Sequence, residues 1–312
     1  MATRIAVAIG DPNGIGPEIA VKAAARFVGS DIEPVLVGDD FVIRKYVERH
    51  AAELARRIEI VPVRALDRAA FAPGATEARA GAATIAYVRE ALQLAQRGEV
   101  TAVIGCPHSQ TAINRAGISF TGYPGLVAEL TGTPAERVFL MLVANGLRIA
   151  HVTLHESVRS ALARLTPVLI VAAARAAIDA VERLGVINPR LGVFGINPHA
   201  GEDGLFGDDD ERITRPAVKQ LQALGMAVNG PTGADMLLAH RRQDVYLAMF
   251  HDQGHIPIKL LSPLRSSALS IGAPVLFSSV GHGCAYDIAG QGVADPASVV
   301  ETLTLLGGPG SA

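Results

Sequence analysis

Short runs of β-branched and aliphatic residues alternate with long Ala/Leu/Arg segments along this chain, and that alternation constrains its fold most. "RIAVAIG" (4–10), "EPVLVGD" (33–39), "IEIVPV" (58–63) and "TAVIGCP" (101–107) read as buried strands. Between them, "PEIAVKAAARFV" (17–28), "FVIRKYVERHAAELARR" (41–57) and "AGAATIAYVREALQLAQRGEV" (80–100) read as helices. Pro17 opens the first at a favoured first-turn position, and Ile85, Val88 and Leu92 give the third its helical spacing. Further strands are expected at "RIAHVTL" (148–154), "RLGVFGI" (190–196) and "DVYLAMF" (244–250), with helices near 158–185 and 209–225. Strand–helix alternation implies an α/β protein with a largely parallel sheet. A chain of 312 residues has room for two cores, and no linker, repeat or low-complexity tract divides it. Two α/β domains sharing one sheet are therefore expected, with the boundary crossed more than once.

Charge and composition exclude several function classes. The formal charge of −2 leaves no basic stripe for nucleic acid, and a chain without Trp has little to stack on bases. Two cysteines, Cys106 and Cys284, cannot build a disulfide framework. The start, "MATRIAVAIGDP", lacks the apolar stretch of a secretory signal, and no run approaches the roughly 18 apolar residues of a membrane span. The expectation is a cytoplasmic protein with neither nucleic-acid nor membrane partners.

In open α/β sheets, ligands bind beyond the carboxyl ends of the strands. Three expected strands end near a histidine: His155 in "TLHESVR", His199 in "NPHAGEDG" and His251 in "HDQGH". The sheet would bring such ends together, and three imidazoles with an open position form a catalytic metal arrangement. A lone loop histidine is more often solvated, so only the shared position favours ligation. Asp252 and Asp235 could complete the ligand set or orient the rings from behind. Zinc, manganese, cobalt and magnesium all suit some mix of these donors. His255 reads as a surface or supporting residue. Lys259, eight residues past His251, is either solvated or a proton relay with a pKa lowered by burial.

Two glycine-rich stretches remain. "GDPNGIGPE" (10–18) is either a phosphate-cradling turn or a plain strand-to-helix turn; it is neither G-x-G-x-x-G nor a P-loop. "VGHGCAYDIAGQGVADPAS" (280–298) reads as a loop and short helix with close backbone approach. From the residues alone, a metal-dependent dehydrogenase, a three-histidine zinc hydrolase and a metal-dependent binding module all stay open.

Together "GDPNGIGPE", "GINPHAGEDG", "MFHDQGHIPIK" and "GHGCAYDIAGQGVADP" resemble the hydroxythreonine-phosphate dehydrogenase family of pyridoxine biosynthesis, related to isocitrate and isopropylmalate dehydrogenases. The resemblance runs from about residue 4 to 310. It implies an isocitrate/isopropylmalate dehydrogenase-like fold with an active-site cleft between two domains. Residues 1–120 plus 270–312 would form the NAD-binding domain, and 121–269 the metal, substrate and dimerisation domain. It implies a divalent metal on His155, His199 and His251 and a substrate-contacting lysine at Lys259; zinc is the first choice of metal, and Lys259 and Asp252 are the candidate catalytic residues. NAD is implied at His282, Gly283, Ala285, Gly290 and Asp295. It further implies a homodimer in which one subunit's metal ligands are completed by the other.

The chain departs from the pyridoxine enzymes at three places. They carry His-Thr where this chain has Tyr123-Pro124, asparagine where it has Ala268, and arginine where it has Phe277. Losing a buried charge-assisted contact costs about 2–5 kcal/mol, or about 30- to several-thousand-fold in affinity. The phosphorylated substrate is therefore disfavoured, and a larger, flatter, more apolar pocket around Tyr123, Ala268 and Phe277 is expected. "FLMLVANGLRIAHVTLHESVRSAL", "GYPGLVA" and "SALSIGAPVLFSSVGHG" resemble the branch of the family that dehydrogenates terephthalate cis-dihydrodiol. That implies a dicarboxylate diol substrate, with Arg159 a candidate for one carboxylate.

Overall fold

The structure is a computed structural model describing residues 2–263 and 265–308. Residues 1, 264 and 309–312, including the ends of the expected first domain, lie outside the described residues. The chain forms two compact units, Met1–Gly132 with Pro274–Ala312, and Thr133–Ala273.

The first unit begins as alternating strands and helices: β1 (Thr3–Ala8), α1 (Gly16–Phe27), β2 (Ile32–Gly38), α2 (Asp40–His50), β3 (Glu59–Pro62), α3 (Ala78–Gln96) and β4 (Ala102–Gly105). Two short helices follow, α4 (Gln110–Arg115) and α5 (Tyr123–Thr131). The second unit holds β5 (Phe139–Ala144), β6 (Leu147–His151), α6 (Val158–Arg164), α7 (Pro167–Arg183), β7 (Leu191–Phe194) and α8 (Arg215–Ala223). It closes with β8 (Val228–Thr232), α9 (Ala234–His240), β9 (Val245–Ala248), α10 (His251–Leu261) and β10 (Ser267–Ile271). The chain then returns to the first unit for β11 (Leu276–Val280) and α11 (Ala297–Gly307).

Among the described residues, the first unit orders its strands β3-β2-β1-β4-β11, and all four pairings are parallel. The second orders them β10-β5-β6-β9-β7-β8. There β6, β9, β7 and β8 are parallel, while β5 runs antiparallel to both β10 and β6. The α/β fold with a mostly parallel sheet is thus as the alternation implies. Central strands such as β1, β4 and β9 are apolar on both faces because helices cover both sides.

Several elements differ from the sequence expectation. Strand β5 is an addition, joined to β6 by a two-residue turn at Asn145 (φ 48°) and Gly146 (φ 76°). Both turn residues occupy the left-handed region that such hairpins require. The helix expected over 41–57 stops at His50, and Ala52–Leu54 form a separate 3-10 turn. Residues His251–Leu261 form a helix to which the sequence pattern assigned no element; Gly254 and Pro257 mask the helical pattern.

The core of the second unit places α10. Leu140, Leu142, Ile149, Phe194, Tyr246 and Ala248 form one buried cluster with Ile258 of that helix. On α7, Ile170, Val171, Ile178 and Val181 are buried together with Ala173, Ala174 and Ala177, so branched and small side chains share its packed face. Among the described residues, no single helix is long and apolar enough to cross a membrane.

Candidate active site

The second unit gathers histidines at its strand ends, in two separate groups. His155 follows β6, and His251 opens α10 directly after β9. Their ring centroids lie 5.5 Å apart. Two imidazoles on one ion, with metal–nitrogen bonds of about 2.0–2.1 Å, need a centroid separation of about 5–6 Å, so this pair fits a shared metal. His251 Nδ1–H donates to Asp252 Oδ1 at 2.8 Å, which leaves Nε2 bare for a ligand. A cavity of about 310 Å³ opens here, walled by Leu154, His155, Val158, Phe250, His251 and Asp252.

His199 stands in the other group. Its Nδ1–H donates to Glu202 Oε2 at 2.8 Å, and its ring packs edge-on against Phe206. Asp235 belongs here too: a Cβ added to Gly233 would lie 2.7 Å from Asp235 Oδ1 and 3.9 Å from His199 Cα. Residues 199–203 all have positive φ, an unusual run in which Gly201 alone adopts that region without strain. Asp210, fully buried, anchors the approach by accepting Ile196 N–H (2.8 Å), Asn197 N–H (2.9 Å) and the Thr214 hydroxyl (2.6 Å). Among the described residues, no three His, Cys, Asp or Glu side chains group closely enough within one chain to hold a metal. The geometry brings two expected imidazoles together at one place and leaves the third expected ligand at another.

Beneath the first group lies a residue the sequence reading passed over. His151, the last residue of β6, is fully buried. Its Nδ1 is 3.2 Å from Leu140 O, and its Nε2 is 3.1 Å from His255 Nδ1. Burial, then the neighbouring His255, pushes the His151 pKa down to about 3. Burial, then His251, holds His255 down to about 4. Its signal was the four-residue spacing in "HVTLH", hidden because His151 sits inside an apolar strand. His255 stacks on His251 with ring centroids 3.6 Å apart and planes 13° off parallel.

Three further expected residues of this unit lie outside the residues that line the cavity. Lys259, one turn beyond His255, donates to Ser266 Oγ at 2.9 Å, and burial lowers its pKa. Arg159 is exposed on α6, beside Val158 and Ala161 of α6, which line the cavity. Ala268 is half-buried against the apolar cluster on β10.

In the first unit, the aromatic replacements do not form open pocket surface. Phe277 is fully buried and Tyr123 is 4 % exposed. Their rings lie 4.8 Å apart, and His108 and Phe120 close around Tyr123 at 4.5 and 5.6 Å. The expectation of a flatter apolar pocket is corrected to an aromatic core, because rings of this size are more stable packed together than hydrated. Phe277→Arg is accordingly expected to destabilise the first unit by several kcal/mol, since it buries an uncompensated charge. A variant with the wild-type thermal midpoint would contradict this placement.

The glycine-rich stretches form one structure. Asp11, fully buried, accepts the Tyr286 hydroxyl at 2.8 Å, and burial raises its pKa. A Cβ on Gly14 would lie 2.8 Å from Cys284 Cβ. Glu18, also fully buried, accepts Lys22 Nζ (2.7 Å), Ala294 N–H (2.9 Å) and Gly292 N–H (3.2 Å). The 10–18 turn therefore holds the chain's own 284–294 segment through the buried carboxylates of Asp11 and Glu18, groups that would repel a phosphate. Along that segment, His282 Nε2 is 2.6 Å from Ser298 Oγ, and Asp295 accepts Ala297 N–H at 3.0 Å. Ala285 and Gly290 have φ of 41° and 77°. At Gly283 the space a Cβ would enter is open, which suits close approach of a dinucleotide.

Histidines at the strand ends of a mostly parallel sheet and a glycine-rich loop outside the Rossmann pattern define a class of α/β proteins in which the comparisons with known proteins decide the chemistry. The chain belongs to the family described as Pyridoxal phosphate biosynthetic protein PdxA, which it matches over residues 16–306, and it is an oxidoreductase. It is 51% identical to a 1,2-dihydroxy-3,5-cyclohexadiene-1,4-dicarboxylate dehydrogenase of Comamonas sp, over 97% of each chain. The crystal structure of a terephthalate 1,2-cis-dihydrodiol dehydrogenase from Burkholderia xenovorans LB400 superposes with a TM-score of 0.79 at 53% identity, covering 98% of each chain. A 4-hydroxythreonine-4-phosphate dehydrogenase structure from Klebsiella pneumoniae gives a TM-score of 0.85 at 35% identity, covering 98% of this chain and 97% of that one. These likenesses turn against the zinc-hydrolase and binding-module readings, since the relatives are dehydrogenases.

Proposed function

We propose that this chain catalyses the NAD-dependent, metal-dependent oxidation and decarboxylation of terephthalate cis-dihydrodiol to protocatechuate. The observation that carries the reading is 51% identity, over 97% of both chains, to an enzyme named for that diol dicarboxylate. The aromatic core at Tyr123 and Phe277 supports it, because no cation stands at position 277 to meet a phosphate.

A bound divalent metal would supply Lewis acidity toward the diol oxygens and NAD would accept the hydride. His155 and His251 would hold the metal from one chain, and His199 of a second copy would supply the third imidazole. Asp252 fixes the His251 tautomer, so its Nε2 faces outward without a proton. Lys259 Nζ, its pKa lowered by burial, exchanges a proton with the reacting hydroxyl oxygen. Arg159 is the candidate clamp for a substrate carboxylate. In the first unit, His282, Gly283, Ala285, Gly290 and Asp295 present the backbone to the dinucleotide.

The test is a side-by-side assay with NAD. Terephthalate cis-dihydrodiol should yield NADH and CO2 in equal amounts. Phosphohydroxythreonine should react at least about a hundredfold less well, given the charged contacts this chain lacks. Preference for the phosphorylated substrate would move the chain to the pyridoxine branch.

A further inference from the structure

We propose that His151 and His255 are a positioning pair that fixes the His251 ring through a tautomer lock, an inference that rests on reading His251 as a metal ligand. A neutral imidazole has one donor and one acceptor, and which nitrogen holds the proton is set by the bond the other makes. Leu140 O can only accept, so His151 Nδ1 carries a proton and donates across 3.2 Å. His151 Nε2 is then a bare acceptor, and His255 Nδ1, 3.1 Å away, must be the donor. The same His255 N–H also lies 3.2 Å from His251 O, a second acceptor on the same side. Both contacts require the proton on Nδ1, leaving His255 Nε2 bare.

The helix is built around this contact. A Cβ on Gly254 would fall 2.2 Å from His151 Nε2, so only glycine lets α10 sit against the buried ring. His255, held at its edge by His151, lays its face on His251 at 3.6 Å. His251 is in turn held at Nδ1 by Asp252. The chain of constraint thus runs from the β5 carbonyl through His151 and His255 to the plane of the His251 ring. Residues of this kind behind a ligating histidine typically contribute about 10- to 100-fold to metal affinity.

The test begins with metal-free protein carrying 15N-labelled imidazoles. Long-range 1H–15N spectra should show His151 and His255 both protonated on Nδ1. His151→Leu should remove one of the two acceptors that hold His255 in that tautomer and lower Co2+ affinity about 10- to 100-fold. His151→Gln, whose amide oxygen can accept where Nε2 did, should restore much of it. Should His151→Leu not fold, His255→Ala, a change on a half-buried helical position, should show the same loss of Co2+ affinity. An Nε2-protonated His255 in the wild type, or wild-type Co2+ affinity in both His151→Leu and His255→Ala, overturns the proposal. If the wild type binds no Co2+, the reading of His251 as a ligand fails, and the tautomer pattern alone then upholds or overturns the pair.

Discussion

Mixing His155→Ala protein with His199→Ala protein is expected to recover about a quarter of wild-type turnover, although each alone is inactive. His155 and His251 belong to one group on the chain, with ring centroids 5.5 Å apart, whereas His199 stands with Glu202 and Asp235. If each site joins one group from either copy of a two-fold dimer, a mixed dimer keeps one intact site of two, and random exchange makes about half the dimers mixed. His155→Ala mixed with His251→Ala should recover nothing, because both changes fall in the same group. The pattern would reverse if His155 and His251 served different sites. His251→Ala alone should remove turnover and metal binding together, and undiminished activity in rigorously metal-free protein would end the metal reading.

Glu18→Ala is expected to cost about 3–5 kcal/mol of stability and to weaken NADH binding in whatever fraction stays folded. The carboxylate is fully buried and accepts three hydrogen bonds, two of them from the 292–294 backbone. Lys22 reaches the same segment, donating to Gly292 O and Ala294 O, both at 2.9 Å. Alanine would leave the Lys22 ammonium, 19% exposed, without its counter-charge and release the loop between Gly290 and Asp295. Denaturant unfolding and NADH titration read the two effects separately. Glu18→Gln, which keeps an acceptor, should recover part of the stability. A Glu18→Ala protein with the wild-type midpoint would show that the 10–18 turn does not anchor the loop.

The parallel strands were legible because strands covered on both faces carry unbroken apolar runs, as β4 and β9 do along their length and β1 and β2 do after their first residues. The β5–β6 hairpin was also written in the chain: Asn145-Gly146 between two apolar runs is a strong two-residue turn signal, and it went unread. Helix α10 was not legible in the same manner. Gly254 and Pro257 weaken any local helical preference, and the helix stands because Ile258 packs into the core and His151 accepts only a glycine beside it. For the same reason the aromatic pair misled. Composition at positions 123 and 277 describes an apolar surface equally well as a core, and only the packing of Tyr123 on Phe277 decides between them.

By itself the sequence determined the α/β class, the family and three histidines near strand ends, since these follow from local pattern and from motifs read in order. The tertiary structure decided which of those histidines meet, because neighbouring parallel strands β6 and β9 bring His155 and His251 together. It also set the protonation of the buried rings beside them, since a tautomer depends on partners 11 and 104 residues away in the chain, and local sequence holds no record of such contacts.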